Sequence, residues 1–205
     1  MKVELKTKKT LRKKGESVGF TFSEALKVRF FWTVETDFDL CLFYKKKNGE
    51  TGGVFSEGYS GKKESMGSLE KFPFIQLLAD EDKPQGGNEV YEQLNISNLD
   101  EIDEAYIVVI NYDAAKEDKE NVTFAEMGGR VELLSSDGDY LEVVADSSET
   151  GLVYCVCYIK NIEERNTLTK CGGDDMHPEV MDLETAYVKI PGFSEICDLL
   201  LGKSN

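Results

Sequence analysis

The side chains with the most chemical promise are carboxylates gathered where strands should end. Asp37 and Asp39 flank Phe38. On an extended chain, alternate side chains share a face, so both carboxylates point the same way. The next residues, Leu40-Cys41-Leu42-Phe43, are apolar on both faces and must enter the core at once. That places the two aspartates at a rim. A second group is Asp80-Glu81-Asp82-Lys83-Pro84-Gln85-Gly86-Gly87-Asn88-Glu89, with carboxylates and an amide oxygen around a Gly-Gly bend. A third begins at Asp113, which ends the apolar run from Ala105 to Tyr112 and leads into Glu117, Asp118 and Glu120. Hard oxygen donors converging from several loops suit calcium, which takes roughly 6–8 oxygens at about 2.3–2.6 Å. Glycine lets such a loop turn its carbonyls inward. Magnesium would keep more water, and zinc would want the His or Cys ligands these groups lack. Solvated surface is the competing reading of each acidic loop taken alone.

Other chemistry has little to work with. His177 is the single histidine and stands beside Pro178 in an acidic stretch, so any Ser-His or Cys-His mechanism would depend on a loop residue. Cys155 and Cys157 lie two apart in an apolar run. On a regular strand they would share a face, about 6.6 Å apart along the axis. They are expected as buried thiols rather than a metal or redox pair. Five cysteines in no framework suit a reducing compartment.

The net charge of −15 is unevenly spread. Residues 1–30 carry nine Lys/Arg against three Glu, which leaves a body near −21. Such a body repels nucleic-acid phosphates and anionic lipid, and attracts cations. The basic strip Lys8, Lys9, Arg12, Lys13 and Lys14 is expected as a solvated edge strand and turn, since lysines blunt exposed edges. No signal-peptide-like or membrane-length apolar run is found, so a cytoplasmic protein without membrane or nucleic-acid partners is expected.

The carboxylates must be held by short strands punctuated by turns. Strands are expected at Lys27 to Val34, Phe38 to Tyr44, Gly53 to Tyr59, Phe72 to Leu78, Val90 to Ile96 and Ala105 to Tyr112. More follow at Val131 to Leu134, Tyr140 to Val144, Leu152 to Ile159 and Ala186 to Ile190. Asn48-Gly49 and Asp137-Gly138 mark hairpin turns. In the Lys27 strand, Val28, Phe30, Trp32 and Val34 form one inward face. The long stretch from Asn161 to Glu184 reads as a loop. Phe193 to Leu201 is the best helical candidate, with Ser194 as its cap. The sum predicts an all-β fold: a β-sandwich of two antiparallel sheets with a short C-terminal helix.

Five segments in order resemble the TerD (tellurium resistance) family. Asp37-Phe38-Asp39-Leu40-Cys41-Leu42-Phe43 is similar to its Asp-Leu-Asp-Ala-Ser-Val-Phe strand. The loop from Asp80 to Glu89, with Tyr91 to Ser97 after it, resembles the family's glycine-rich acidic loop and following strand. Ile107 to Ala114 resembles Phe-x-Val-Thr-Ile-Tyr-Asp-Ala, Thr123-Phe124 to Val131 the Thr-Phe-Gly stretch, and Asp146-Ser147-Ser148 the Asp-Ala-Ser of a late strand. The resemblance runs from about Val34 to Lys160 and implies a calcium-binding β-sandwich of the stress response. By this match Asp37, Asp39, Asn88, Glu89 and Asp113 are the candidate ligands, with Asp80 and Asp82 beside them. No catalytic residue carries over. The chain departs from the pattern in the acidic loop, which keeps only Gly86 and Gly87 and has Asn88-Glu89 for paired aspartates.

Residues 1–160 are therefore expected to form a TerD-like sandwich, with 161–205 adding an acidic loop, a last strand and a helix on the same domain. The expected function is binding of Ca2+ in a response to tellurite or chemical stress, through protein partners or self-association, without catalysis. A metal-free interaction domain is the main alternative. A carboxylate-dependent glycan hydrolase is a further one.

Overall fold

The structure, a computed structural model, describes residues 8–78, 84, 86–117, 123–125, 127–162 and 165–196. Two sheets pack face to face. The first runs in the order β1 (Lys9–Leu11), β11 (Tyr140–Ala145), β10 (Gly129–Ser135), β3 (Leu26–Trp32), β8 (Val90–Ile96), β7 (Ile75–Leu77) and β6 (Gly67–Ser68). The second runs β2 (Ser17–Phe20), β13 (Arg165–Lys170), β12 (Val153–Ile162), β9 (Ile102–Asn111), β4 (Phe38–Lys46) and β5 (Thr51–Val54), with β14 (Val180–Met181) also paired to β12. Pairing is antiparallel except between the edge strand β1 and β11. The expected β-sandwich is the fold observed.

The strand pattern follows from burial. In β3 the alternation of Leu26, Val28, Phe30 and Trp32 faces the space between the sheets, and all four are fully buried. Central strands β4 and β9 are buried on both faces, which is why they read as unbroken apolar sequence. Leu40 and Leu42 of β4 enter the core between the sheets. Cys41 and Phe43 face outward into a second apolar layer with Phe55, Ala186, Phe193 and Ile196. The Phe193 ring meets Phe43 edge-on at 5.2 Å between centroids. The outer face of the second sheet is thus roofed by α1 (Glu57–Ser60), α2 (Tyr112–Lys116), α3 (Leu183–Lys189) and the segment after it.

Several expectations are corrected. The stretch from Asn161 to Glu184 is not a loop: it completes β12 and contributes β13 and β14. Strand β13 escaped notice because two of its inward residues, Asn166 and Lys170, are polar, so no apolar alternation marks it. Ala186 to Ile190 is not a strand. It belongs to α3, whose first turn is capped by Asp182 Oδ1 accepting from Thr185 N–H at 2.7 Å. Cys155 and Cys157 do not share a face. A β-bulge falls between them, sending Cys155 to the outer layer and Cys157 to the core. Of the helix expected over Phe193 to Leu201, residues 194–196 are helical and the rest lie outside the described residues.

Candidate functional site

Register brings two of the acidic segments together. The first residue of β4, Phe38, pairs with the last of β9, Asn111. Asp37 therefore lies beside the start of α2. Its carbonyl accepts from Tyr112 N–H at 3.0 Å, and its own N–H donates to Asp113 Oδ2 at 3.1 Å. Asn111 caps the same turn, its side-chain oxygen accepting from Ala114 N–H at 3.0 Å.

Asp39 follows on the outward face of β4, in phase with Cys41 and Phe43. It is buried, and Tyr59 of α1 donates its hydroxyl to Asp39 Oδ2. The Tyr59 ring meets Tyr112 edge-on at 5.7 Å. Burial, then the Asp39 charge, pushes the Tyr59 hydroxyl well above the usual tyrosine range, so Tyr59 stays protonated and donates. Asp37, Asp39 and Asp113 thus gather at one rim of the second sheet.

The remaining candidates are placed differently. Asn88 and Glu89 are exposed. Glu89 faces the outer side of the first sheet, where Arg130 holds it by two bonds of 2.5 and 3.0 Å. The hydrogen bond from Arg130, opposed by slight burial, lowers the Glu89 carboxyl. Arg130 also donates to Glu132 at 2.8 Å and stacks over Phe31 at 4.1 Å. Asp80 and Asp82 lie outside the described residues, as do Asp118 and Glu120. Among the described residues, no group of three or more His, Cys, Asp or Glu is arranged to hold a metal ion.

One carboxylate near this end was missed. Glu92 of β8 pairs in register with Phe30 and shares the inward face with Leu94 and Ile96. It is 1% exposed, and its Oε2 accepts from Leu40 N–H at 2.6 Å. Strand β5 pairs with β4 only from Leu42 to Lys45. Glu92 reaches across the sandwich to serve a β4 amide beyond that end. The alternation Glu92, Leu94, Ile96 carried the signal: an acid at a core position.

Trp32, His177 and Cys155 make packing and hydrogen-bond contacts within the fold. Trp32 is buried, with Nε1 donating to Thr36 O at 3.0 Å, and offers no surface for stacking a sugar. His177 lies flat on Tyr158 at 4.2 Å and contacts Asp174 through Nδ1 at 3.0 Å. Cys155 and Cys171 bring their sulfurs within 3.3 Å in the buried outer layer. Burial pushes the Cys171 thiol up, which suppresses thiolate chemistry.

No family model matches the chain, and no curated protein matches it. Among solved structures, the crystal structure of a protein of unknown function, SAV2460, is similar over 74% of this chain and 91% of that one. The two are 13% identical with a TM-score of 0.47. No helix among the described residues is long and apolar enough to cross a membrane.

Proposed function

We propose that this chain is a calcium-binding β-sandwich module that acts by binding rather than by catalysis, in the manner its resemblance to the TerD family implies. The observation that carries this reading is the junction of Asp37 and Asp113. A hydrogen bond from Asp37 N–H to Asp113 Oδ2 fixes the two acidic segments side by side, with Asp39 next on the same strand. Two acidic segments held side by side in a strongly acidic chain favour a divalent cation near this junction. By the family resemblance, Asp80 and Asp82 are the further candidate ligands. Stress response, with tellurite among the stresses, is the physiological setting this reading implies, in the cytoplasm and through a protein partner or a second copy.

Elemental analysis and calcium calorimetry on purified protein test the proposal. Saturable calcium binding that magnesium does not match is the expected result. Absence of heat at millimolar calcium would sink it.

A second reading is favoured by one pair. Arg130 occupies both carboxylate oxygens of Glu89, removing the residue that stands where the family pattern has an acidic ligand. A sandwich that kept the fold and lost the metal would look like this, and would serve as an interaction domain. A defined oligomer or partner without bound metal distinguishes it.

A further inference from the structure

A cleft of about 350 Å3 opens at the end of the sandwich opposite Asp37. The β4–β9 register fixes the geometry: Phe38 and Asn111 mark one end, Lys46 and Ile102 the other. The cleft lies beyond the second end, between the β2–β3 connection, the β8–β9 turn and the adjoining ends of β12 and β13. Its lining includes Thr21, Phe22, Ser23, Asp100, Asn161 and Asn166.

The two asparagines make this more than a surface dent. They are register partners across β12 and β13, in phase with the core residues Ile159 and Leu168. They are only 7% and 8% exposed, yet Oδ1 of each is buried without a hydrogen-bond partner. The orientation of Asn161 is set, because its Nδ2 donates to Leu99 O at 2.8 Å. Leaving two buried carbonyl oxygens without donors is unfavourable. The third strong acceptor is the carboxylate of Asp100, which is exposed. Among the described residues, no Lys or Arg lines the cleft. Nearby, Ser23 donates to Asp137 at 2.7 Å, and Thr21 N–H to Asp139 at 3.2 Å. Phe22 stacks on Phe20 at 6.4 Å and adds an aromatic wall.

We propose that this cleft binds a small organic ammonium ion through Asp100, Asn161 and Asn166. An ammonium carries three donors and no acceptor, which matches the two orphaned amide oxygens and the Asp100 carboxylate. A neutral polyol brings as many acceptors as donors and matches it less well. The aromatic wall suits a cation and its alkyl stem. The proposal is independent of calcium, since the two sites stand at opposite ends of the fold.

The test is calorimetric titration of the full chain with putrescine at physiological ionic strength. The controls are butane-1,4-diol and magnesium chloride. Saturable binding of putrescine alone is expected. Asp100→Asn and Asn161→Leu should each weaken it by about tenfold or more, the value of a charged hydrogen bond. Asp37→Asn, at the far end, should leave it unchanged. Asp100 is exposed, so its variant stays decisive if Asn161→Leu fails to fold. Absence of saturation, equal binding of the diol, or equal weakening by Asp37→Asn and Asp100→Asn would overturn the proposal. So would an Asn161→Leu/Asn166→Leu variant that is stabilised and binds putrescine as tightly as the wild type.

Discussion

Lys170 Nζ lies 2.7 Å from Glu179 Oε1, and neither side chain is more than 2% exposed. Lys170 also donates to Val144 O of the opposing sheet at 2.6 Å, and Tyr154 donates to Glu179 at 3.0 Å. The pair therefore ties both sheets to the segment before β14. Removing one partner strands a buried charge. Lys170→Met is expected to cost about 3–5 kcal/mol in urea unfolding, and Lys170→Met/Glu179→Leu distinctly less. A double variant as unstable as the single would show that packing rather than charge sets the loss.

The same pair fixes a pH dependence. Burial pushes the Glu179 carboxyl up, but hydrogen bonds and charge from Lys170 and Lys14 outweigh it and hold the carboxyl below its usual range. A carboxyl lowered by folding stabilises the native state above its unfolded value, about 4.3, and that stability is lost as pH falls through the folded value. Glu179→Gln should therefore flatten the acid limb of the stability curve below about pH 4.3. An unchanged limb would assign acid sensitivity to other carboxylates.

The four described cysteines, Cys41, Cys155, Cys157 and Cys171, are all buried thiols. Burial raises Cys157 and Cys171 well above the usual thiol range. Labelling with an aromatic disulfide reagent should modify none of the four until the protein unfolds. Rapid modification of any of them, located by mass spectrometry, would contradict the described packing.

Glu92 is expected to matter as an acceptor. Glu92→Gln keeps an oxygen for Leu40 N–H and should be tolerated better than Glu92→Leu. The leucine variant leaves a buried amide unpaired, at about 1–3 kcal/mol. Chemical denaturation compares the two. Equal stability would mean that another group serves the amide.

The sandwich was legible because its central strands carry apolar sequence on one or both faces: Val28, Phe30 and Trp32 on β3, and the run through Leu42 on β4. The rim was legible in part. Alternation set Asp37 and Asp39 on one face, and the apolar run ending at Asp113 set the neighbouring corner. Glu89 was misleading, since nothing local in the sequence showed that Arg130, 41 positions away, would claim it. The C-terminal third was the least legible. A polar inward face on β13 hid a strand behind Asn166 and Lys170, whose partners lie elsewhere in the chain. One bulge after Cys155 reversed the phase of everything beyond it.

The most direct test of the central claim is the melting temperature of the wild type and of Asp37→Asn/Asp113→Asn with and without calcium. A ligand at one hundred times its dissociation constant adds about 2.7 kcal/mol to native stability. For a chain of this size each kcal/mol raises the melting temperature by about 2–4 °C. The account predicts a rise of about 5–10 °C in the wild type and none in the double variant, which keeps the acceptor for Asp37 N–H and so keeps the fold. An equal rise in both proteins, or none in the wild type at millimolar calcium, would contradict it.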